Sequence, residues 1–147
     1  MRVSTRVEYG MLALTDIALH SENGSTVSGP EIAERQEISQ KYLEQILTQL
    51  KQAGLIRAQK GLRGGYTLAR PADQIRLSEI FNALDNSILE ETDPAGDTDG
   101  QSLREAVNDC VWRELNYSIA VFAESRTLSN IMQECRERSG DWDMYVI

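Results

Sequence analysis

The chain has 147 residues, a formal net charge of −8 at pH 7 and 41% hydrophobic residues. That is enough for one domain with a true core, or for one domain plus an oligomerisation arm. No apolar run approaches the length of a membrane span and no signal-peptide core opens the chain. Two cysteines, Cys110 and Cys135, are too few for a disulfide framework, so a cytoplasmic protein with free thiols is expected.

In chain order, Val7, Met11, Leu14 and Ala18 set an apolar face on a first helix that ends near His20, before the polar run Ser21-Glu22-Asn23-Gly24-Ser25. Ser28 or Gly29, with Pro30 just inside, opens a second helix. Ser39 is a cap for a third helix over residues 39–53, in which Leu43, Ile46, Leu47 and Leu50 recur at helical spacing. Gln40, Lys41, Glu44, Gln45 and Thr48 fall on the other side. Gly54 stops this helix, because glycine takes the left-handed conformation of a C-cap. Leu55 and Ile56, then Tyr66, Thr67 and Leu68, flank a basic glycine-rich tip, Lys60-Gly61-Leu62-Arg63-Gly64-Gly65, which is a hairpin signature. Helix, turn, helix and basic hairpin make a winged helix-turn-helix, whose default use is DNA binding.

The acidic balance of the whole chain hides a division. Residues 1–76 hold 10 Lys and Arg against 8 Asp and Glu, whereas residues 77–147 hold 5 against 15. Residues 35–76, which contain the third helix and hairpin, hold 8 basic against 3 acidic side chains. DNA affinity follows the local patch that neutralises phosphates, so this region suits DNA and the acidic half does not.

Beyond the hairpin, Ser78 begins a short helix with Ile80, Phe81 and Leu84 apolar. Residues 90–100 are acidic and lack periodicity, as a linker or loop would. From Ser102 a long helix is expected. Leu103, Val107, Val111, Leu115, Ile119 and Phe122 step by three or four along it, with Ala106, Cys110 and Ser118 beside that stripe. Such a helix has little to bury against except a second copy of itself, so these six residues form the expected dimer interface. Thr127 and Leu128 start a last helix with Ile131, Met132 and Cys135 inside, and residues 139–147 carry no helical signal. The division expected is therefore a DNA-binding domain over 1–85, an acidic loop over 86–100, dimerisation and C-terminal helices over 101–138, and a tail over 139–147. The fold class is mainly α with a small β-wing.

The run Ile38-Ser39-Gln40-Lys41-Tyr42-Leu43-Glu44-Gln45, the following Ala53-Gly54-Leu55 and the wing Lys60-Gly61-Leu62-Arg63-Gly64-Gly65-Tyr66 resemble the bacterial winged-helix regulators that include IscR, NsrR and CymR (Rrf-two type). Arg2-Val3-Ser4-Thr5 and Tyr9 fit the same family. The likeness is close over the first half of the chain and weaker beyond it. Family members often carry glycine in the turn between the second and third helices, where this chain has Glu37. The resemblance implies a homodimeric transcriptional regulator, a repressor, reading a pseudo-palindromic operator in double-stranded DNA.

Each candidate contact has its own chemistry. Ser39 can bond a phosphate or base edge, although capping alone accounts for it. Lys41 reaches guanine acceptors or phosphate, Glu44 accepts from cytosine N4, and Gln45 can pair with adenine. Gln40 lies beside them on the exposed first turn. Lys60 and Arg63 put cations at the wing tip, suited to the negative minor groove, and Gly64 and Gly65 permit close backbone approach. Tyr9 and Tyr42 can offer hydroxyls to phosphate, and Arg2 joins the set through the resemblance. His20, the single histidine, reads as a helix-end or solvated side chain rather than a ligand. No serine–histidine–acid set, phosphate loop or metal-hydrolase motif occurs, so neither catalysis nor a metal site is expected.

Cysteine placement selects a branch. Iron–sulfur members carry three closely spaced cysteines in the loop before the long helix, and residues 90–100 contain none. A cluster wants about four ligands, normally thiolates, and two cysteines per chain reach that number only across a dimer or with Glu8 or His20. Both cysteines read instead as buried small hydrophobes. The resemblance therefore points to the cluster-free CymR-like branch, with control of sulfur and cysteine genes and no cofactor. The alternative is an iron–sulfur or redox sensor with a cluster or reactive thiol at the dimer interface. Members of the CymR-like branch end in a similar tyrosine–x–isoleucine and partner O-acetylserine sulfhydrylase, which implies that Tyr145 and Ile147 are a partner-binding tail.

Overall fold

The computed structural model describes residues 3–91 and 102–143. Helix α1 (Thr5–His20) starts where the Ser4 hydroxyl accepts from the Val7 amide at 3.3 Å, capping a donor that the first turn leaves open. Val7, Leu14, Ile17 and Ala18 are buried, and Met11 is half-buried at the edge of the same face. Gly10 marks the closest approach of α1 to α4 (Leu77–Leu84), since a Cβ there would land on the buried Leu84 side chain.

Helix α2 (Gly29–Gln36) opens with a reciprocal cap. The Ser28 amide donates to Glu31 Oε2 (3.1 Å) and the Glu31 amide to Ser28 Oγ (3.3 Å), with Pro30 in the first turn. Helix α3 (Gln40–Gln52) begins at Ser39, whose hydroxyl accepts from the Tyr42 amide (3.3 Å). It buries Leu43, Ile46, Leu47 and Leu50, the four residues of its apolar stripe. Gly54 (φ 75°) ends it: its amide donates to Lys51 O and the Leu55 amide to Leu50 O, both at 3.0 Å, the paired bonds of a Schellman motif.

The wing is an antiparallel hairpin of β1 (Ile56–Gln59) and β2 (Gly65–Leu68), with Ile56 opposite Leu68 and Gln59 opposite Gly65. Val27 adds a bridge, donating to Tyr66 O at 3.0 Å and accepting from the Tyr66 amide at 2.7 Å. Helix α4 starts one residue before Ser78, which is buried in its first turn, and Glu79 accepts from the Arg76 amide. Of residues 86–100, a 3-10 turn at Asn86–Ile88 begins where Asp85 Oδ1 accepts from the Ser87 amide (3.0 Å); residues 92–100 lie outside the described residues.

The long helix is α5 (Leu103–Val107), a π-helical turn over Asn108–Trp112 and α6 (Arg113–Ser125). Its far end joins the core through buried Ala123 and through the Leu77 amide to Arg126 O (3.0 Å) and the Leu128 amide to Ile75 O (2.8 Å). Helix α7 (Leu128–Asp143) follows a reciprocal cap between Thr127 and Asn130, and packs Leu128 and Met132 into the core. It departs from expectation at its end, continuing through residues 139–143 where an irregular tail was expected. Glycine costs a helix about 1 kcal/mol relative to alanine but does not forbid it, and Gly140 has no positive φ to break the run. The architecture is mainly helical with a small two-stranded wing, as the sequence predicts. No helix among the described residues is long and apolar enough to cross a membrane.

Candidate nucleic-acid interface

Two features outside α3 set its position. Glu37, standing where glycine was the expected turn residue, takes the left-handed conformation itself (φ 54°, ψ 44°), and the Ile38 amide closes the turn on Ala33 O at 3.1 Å. The turn geometry is kept at the cost of placing a Cβ in the left-handed region. Beneath it, the carboxylate of Asp16, with its side chain fully buried on α1, accepts from Arg35 Nε (3.0 Å), an Arg35 terminal nitrogen (2.7 Å) and Gln36 Nε2 (2.8 Å). Burial alone would raise the Asp16 pKa. The hydrogen bonds from Arg35 and Gln36 and the charges of Arg35 and His20 outweigh it and hold the carboxyl below its ordinary value. Arg35 and Gln36 are the last residues before Glu37, so this clamp ties the turn to α1. Sequence reading missed it. The available signal was a lone carboxylate on a face otherwise made of Ala13, Leu14 and Ile17. His20 is half-exposed at the end of α1, with Nδ1 2.8 Å from Asp16 O.

With the helix so held, Ser39, Gln40, Lys41, Glu44 and Gln45 are all exposed along its first turn and a half. Tyr42 is half-buried and meets Tyr9 of α1 edge to face, with ring centroids 5.8 Å apart and planes at 77°. The two candidate tyrosines thus form one unit joining the start of α1 to α3. Arg2 lies outside the described residues.

At the wing, Lys60 and Arg63 are exposed. Gly61 has φ 124°, and the Gly64 amide donates to Gly61 O at 2.9 Å. Thr26 Oγ1 donates to Arg63 O at 2.6 Å, bracing the tip against the loop before α2. Glycine at 64 and 65 has a cause within the fold. A Cβ on Gly64 would lie 2.7 Å from Gln59 O, and one on Gly65 2.7 Å from Val27 O. Both positions are closed by backbone that cannot swing aside, a reason for glycine independent of any phosphate.

Six of the described arginines are paired with carboxylates, whereas several exposed cations, including Lys51, Arg57 and Arg138, hold none within the described residues. Arg35, Arg70, Arg76, Arg113, Arg126 and Arg136 hold Asp16, Glu79, Glu124, Asp109, Glu134 and Glu22 respectively. Lys41, Lys60 and Arg63 hold no carboxylate among the described residues.

On the long helix, Leu103, Val107, Val111, Leu115 and Phe122 are exposed and Ile119 is half-buried. Trp112, Tyr117 and Val121 are exposed apolar residues beyond the six of the stripe. The π-helical turn shifts the helix phase between Val107 and Arg113, which a reading with one uninterrupted period does not anticipate. Cys110, expected to be buried, is exposed on that turn; in a single chain, the helix has no neighbour to cover it. Cys135 is half-buried and lines an apolar groove with Val3, Val7, Glu8, Met11 and Leu12. Among the described residues, no three His, Cys, Asp or Glu side chains come together in a way that could hold a metal ion. Tyr145 and Ile147 lie outside the described residues.

The chain is similar to known regulators over most of its length. A family model described as Rrf2, iron-dependent transcriptional regulator, matches residues 3–134. The HTH-type transcriptional regulator IscR of Cereibacter sphaeroides is 39% identical over 136 residues, covering 90% of this chain and 88% of that protein. Among solved structures, CymR, the global cysteine regulator of B. subtilis, superposes with TM-score 0.77 at 25% identity, over 91% of this chain and 98% of that one. T. potens IscR does so with TM-score 0.74 at 31% identity, over 94% and 90%. With its helix-turn-helix, its wing and these likenesses together, the chain belongs to the Rrf2 family of winged-helix, DNA-binding transcriptional regulators.

Proposed function

We propose that this protein is a homodimeric, sequence-specific repressor that grips a pseudo-palindromic operator with two α3 helices and two wings. The observation that carries this reading is where exposed cations stand without carboxylate partners: Lys41 at the start of α3 and Lys60 and Arg63 at the wing tip, on the two elements a winged helix presents to DNA. Unpaired cations at the start of α3 and the wing tip are available to neutralise phosphate. In this reading Ser39, Gln40, Glu44 and Gln45 meet base edges, Tyr9, Tyr42 and Arg2 meet phosphate, and the exposed stripe of the long helix is the dimer seam. The test is equilibrium binding to duplexes selected from a random pool, repeated across salt concentrations. Lys60→Ala and Arg63→Ala each weaken binding to all sequences and lower the log–log salt slope by about 0.9, whereas Glu44→Ala relaxes base preference. Unchanged binding in all three variants overturns the assignment.

The regulated genes are those of sulfur and cysteine metabolism, and the protein works without a resident cluster. The likeness to CymR supports the first statement. For the second, the donors available do not fit an iron centre: two cysteines lie on separate helices and no three-donor group forms among the described residues. The Tyr145 and Ile147 tail binds O-acetylserine sulfhydrylase in this reading, linking the promoter to sulfur status. A second reading, a thiol-based redox regulator, is favoured by the exposure of Cys110 on the π-helical turn. Anaerobic purification separates these possibilities, since a cluster gives visible absorption and a reactive thiol gives oxidant-dependent DNA release without it.

A further inference from the structure

The apex of the wing carries a leucine with no contact to make. Leu62 is 110% exposed, more than any other large apolar side chain among the described residues that are exposed. A single exposed apolar residue is ordinary on a protein surface; the setting of this one is not. Lys60 and Arg63 flank it, both exposed and without carboxylate partners. The tip behind it is braced on two sides, by the Gly64 amide on Gly61 O and by Thr26 Oγ1 on Arg63 O. Just behind the tip, the second strand is pinned by the Val27–Tyr66 bridge. A stiff, narrow hairpin therefore presents an apolar point between two cations. Minor-groove proteins use that combination, with cations drawn to the negative groove and an apolar wedge entering between base pairs.

We propose that Leu62 is a DNA wedge: as the wing enters the minor groove, the leucine pushes into one base step, unstacks it and bends the duplex. The step favoured is a pyrimidine–purine step, the easiest to unstack, so Leu62 would also impose sequence preference at a position that no hydrogen bond reads. This proposal rests on the DNA-binding reading above.

The experiment uses full-length protein and a duplex selected by it from a random pool, with 2-aminopurine placed in turn at each step under the wing. Bending is measured by end-to-end fluorescence transfer. The expected result is a bend of about 20° or more per wing, with brightening of 2-aminopurine at one step. Leu62→Ala should lose both signals and the preference at that step while keeping the salt slope, because its cations remain. Lys60→Ala should lower the slope yet keep the bend on saturated DNA. Equal bending and brightening by wild type and Leu62→Ala overturns the wedge, as does wild type bound to straight, fully stacked DNA; in both cases the DNA-binding reading stands. Failure of wild type to select any duplex overturns both.

Discussion

Removing the carboxylate under the helix-turn-helix tests whether that turn is held from below. In Asp16→Ala, three hydrogen bonds to a charged acceptor vanish, at 3.0, 2.7 and 2.8 Å. Bonds to charged groups are worth about 1.5–3 kcal/mol each, and breaking a fully buried pair costs about 3–5 kcal/mol. The cost here falls to the bottom of that range or below it. Arg35 keeps 36% of its side-chain surface in water and can rehydrate, and the variant no longer buries a carboxylate. A loss of about 2–3 kcal/mol is expected, which for a chain of this size lowers Tm by roughly 6–12 °C. Urea unfolding at fixed protomer concentration measures the loss, with the m-value as a check that only stability has changed. The pH dependence has a defined sign. Because hydrogen bonds from Arg35 and Gln36 hold the folded carboxyl below its ordinary pKa, its contribution is present above about pH 4 and lost as pH falls through the folded value. Asp16→Asn should lack that acid-limb decline. DNA affinity should also fall in Asp16→Ala at temperatures where the variant remains folded, since Arg35 and Gln36 lead directly into Glu37. A variant within 0.5 kcal/mol of wild type would show that the clamp is ornamental.

Four further substitutions, one of them a control, probe the scaffold. Gly65→Ala sets a Cβ 2.7 Å from Val27 O, so the Val27–Tyr66 bridge should open at a cost of about 1–3 kcal/mol, read as faster hydrogen exchange at the Tyr66 amide. Gly29→Ala, which meets nothing closer than Leu47 Cδ1 at 3.9 Å, should leave exchange there unchanged. Glu37→Gly removes a left-handed cost of about 1–2 kcal/mol against about 0.5–1 kcal/mol of added chain entropy, so the urea midpoint should hold or rise; a clear fall means that the Glu37 side chain stabilises the turn. Val111→Asp, which puts a charge into the proposed seam, should give a monomer or an aggregate in sedimentation with operator binding lost, and an intact dimer would place the interface elsewhere.

How far each of these features was legible follows from how local its cause is. Helix α3 was readable from end to end because its determinants all lie within it: Ser39 caps, four aliphatic residues recur at helical spacing, and Gly54 takes the left-handed stop. The exposed candidates on it followed by subtraction from that stripe. The glycine-rich tip was equally visible, but two of its glycines answer to backbone at Val27 and Gln59 rather than to a nucleic acid. Composition reveals that glycine is present, not which neighbour demands it. Asp16 was illegible because its partners stand nineteen and twenty residues away on another helix, and a carboxylate within an apolar face looks like noise until they are in place. The π-helical turn was hidden for a related reason. One inserted residue leaves every side chain apolar or polar as before and changes only the face each one occupies, a shift that a single period cannot register. The turn between α2 and α3 shows the same physics from the other side. Position 37 lacks the glycine frequent in the family, yet the left-handed turn survives because Ile38 closes it from one side and the Asp16 clamp holds α2 from the other. Local preference yields where surrounding contacts outweigh about 1–2 kcal/mol, and that margin is what Asp16→Ala combined with Glu37→Gly can measure. If the clamp sustains the strained turn, Glu37→Gly should recover part of the DNA affinity that Asp16→Ala removes; if the effects of the two substitutions simply add, clamp and turn act independently.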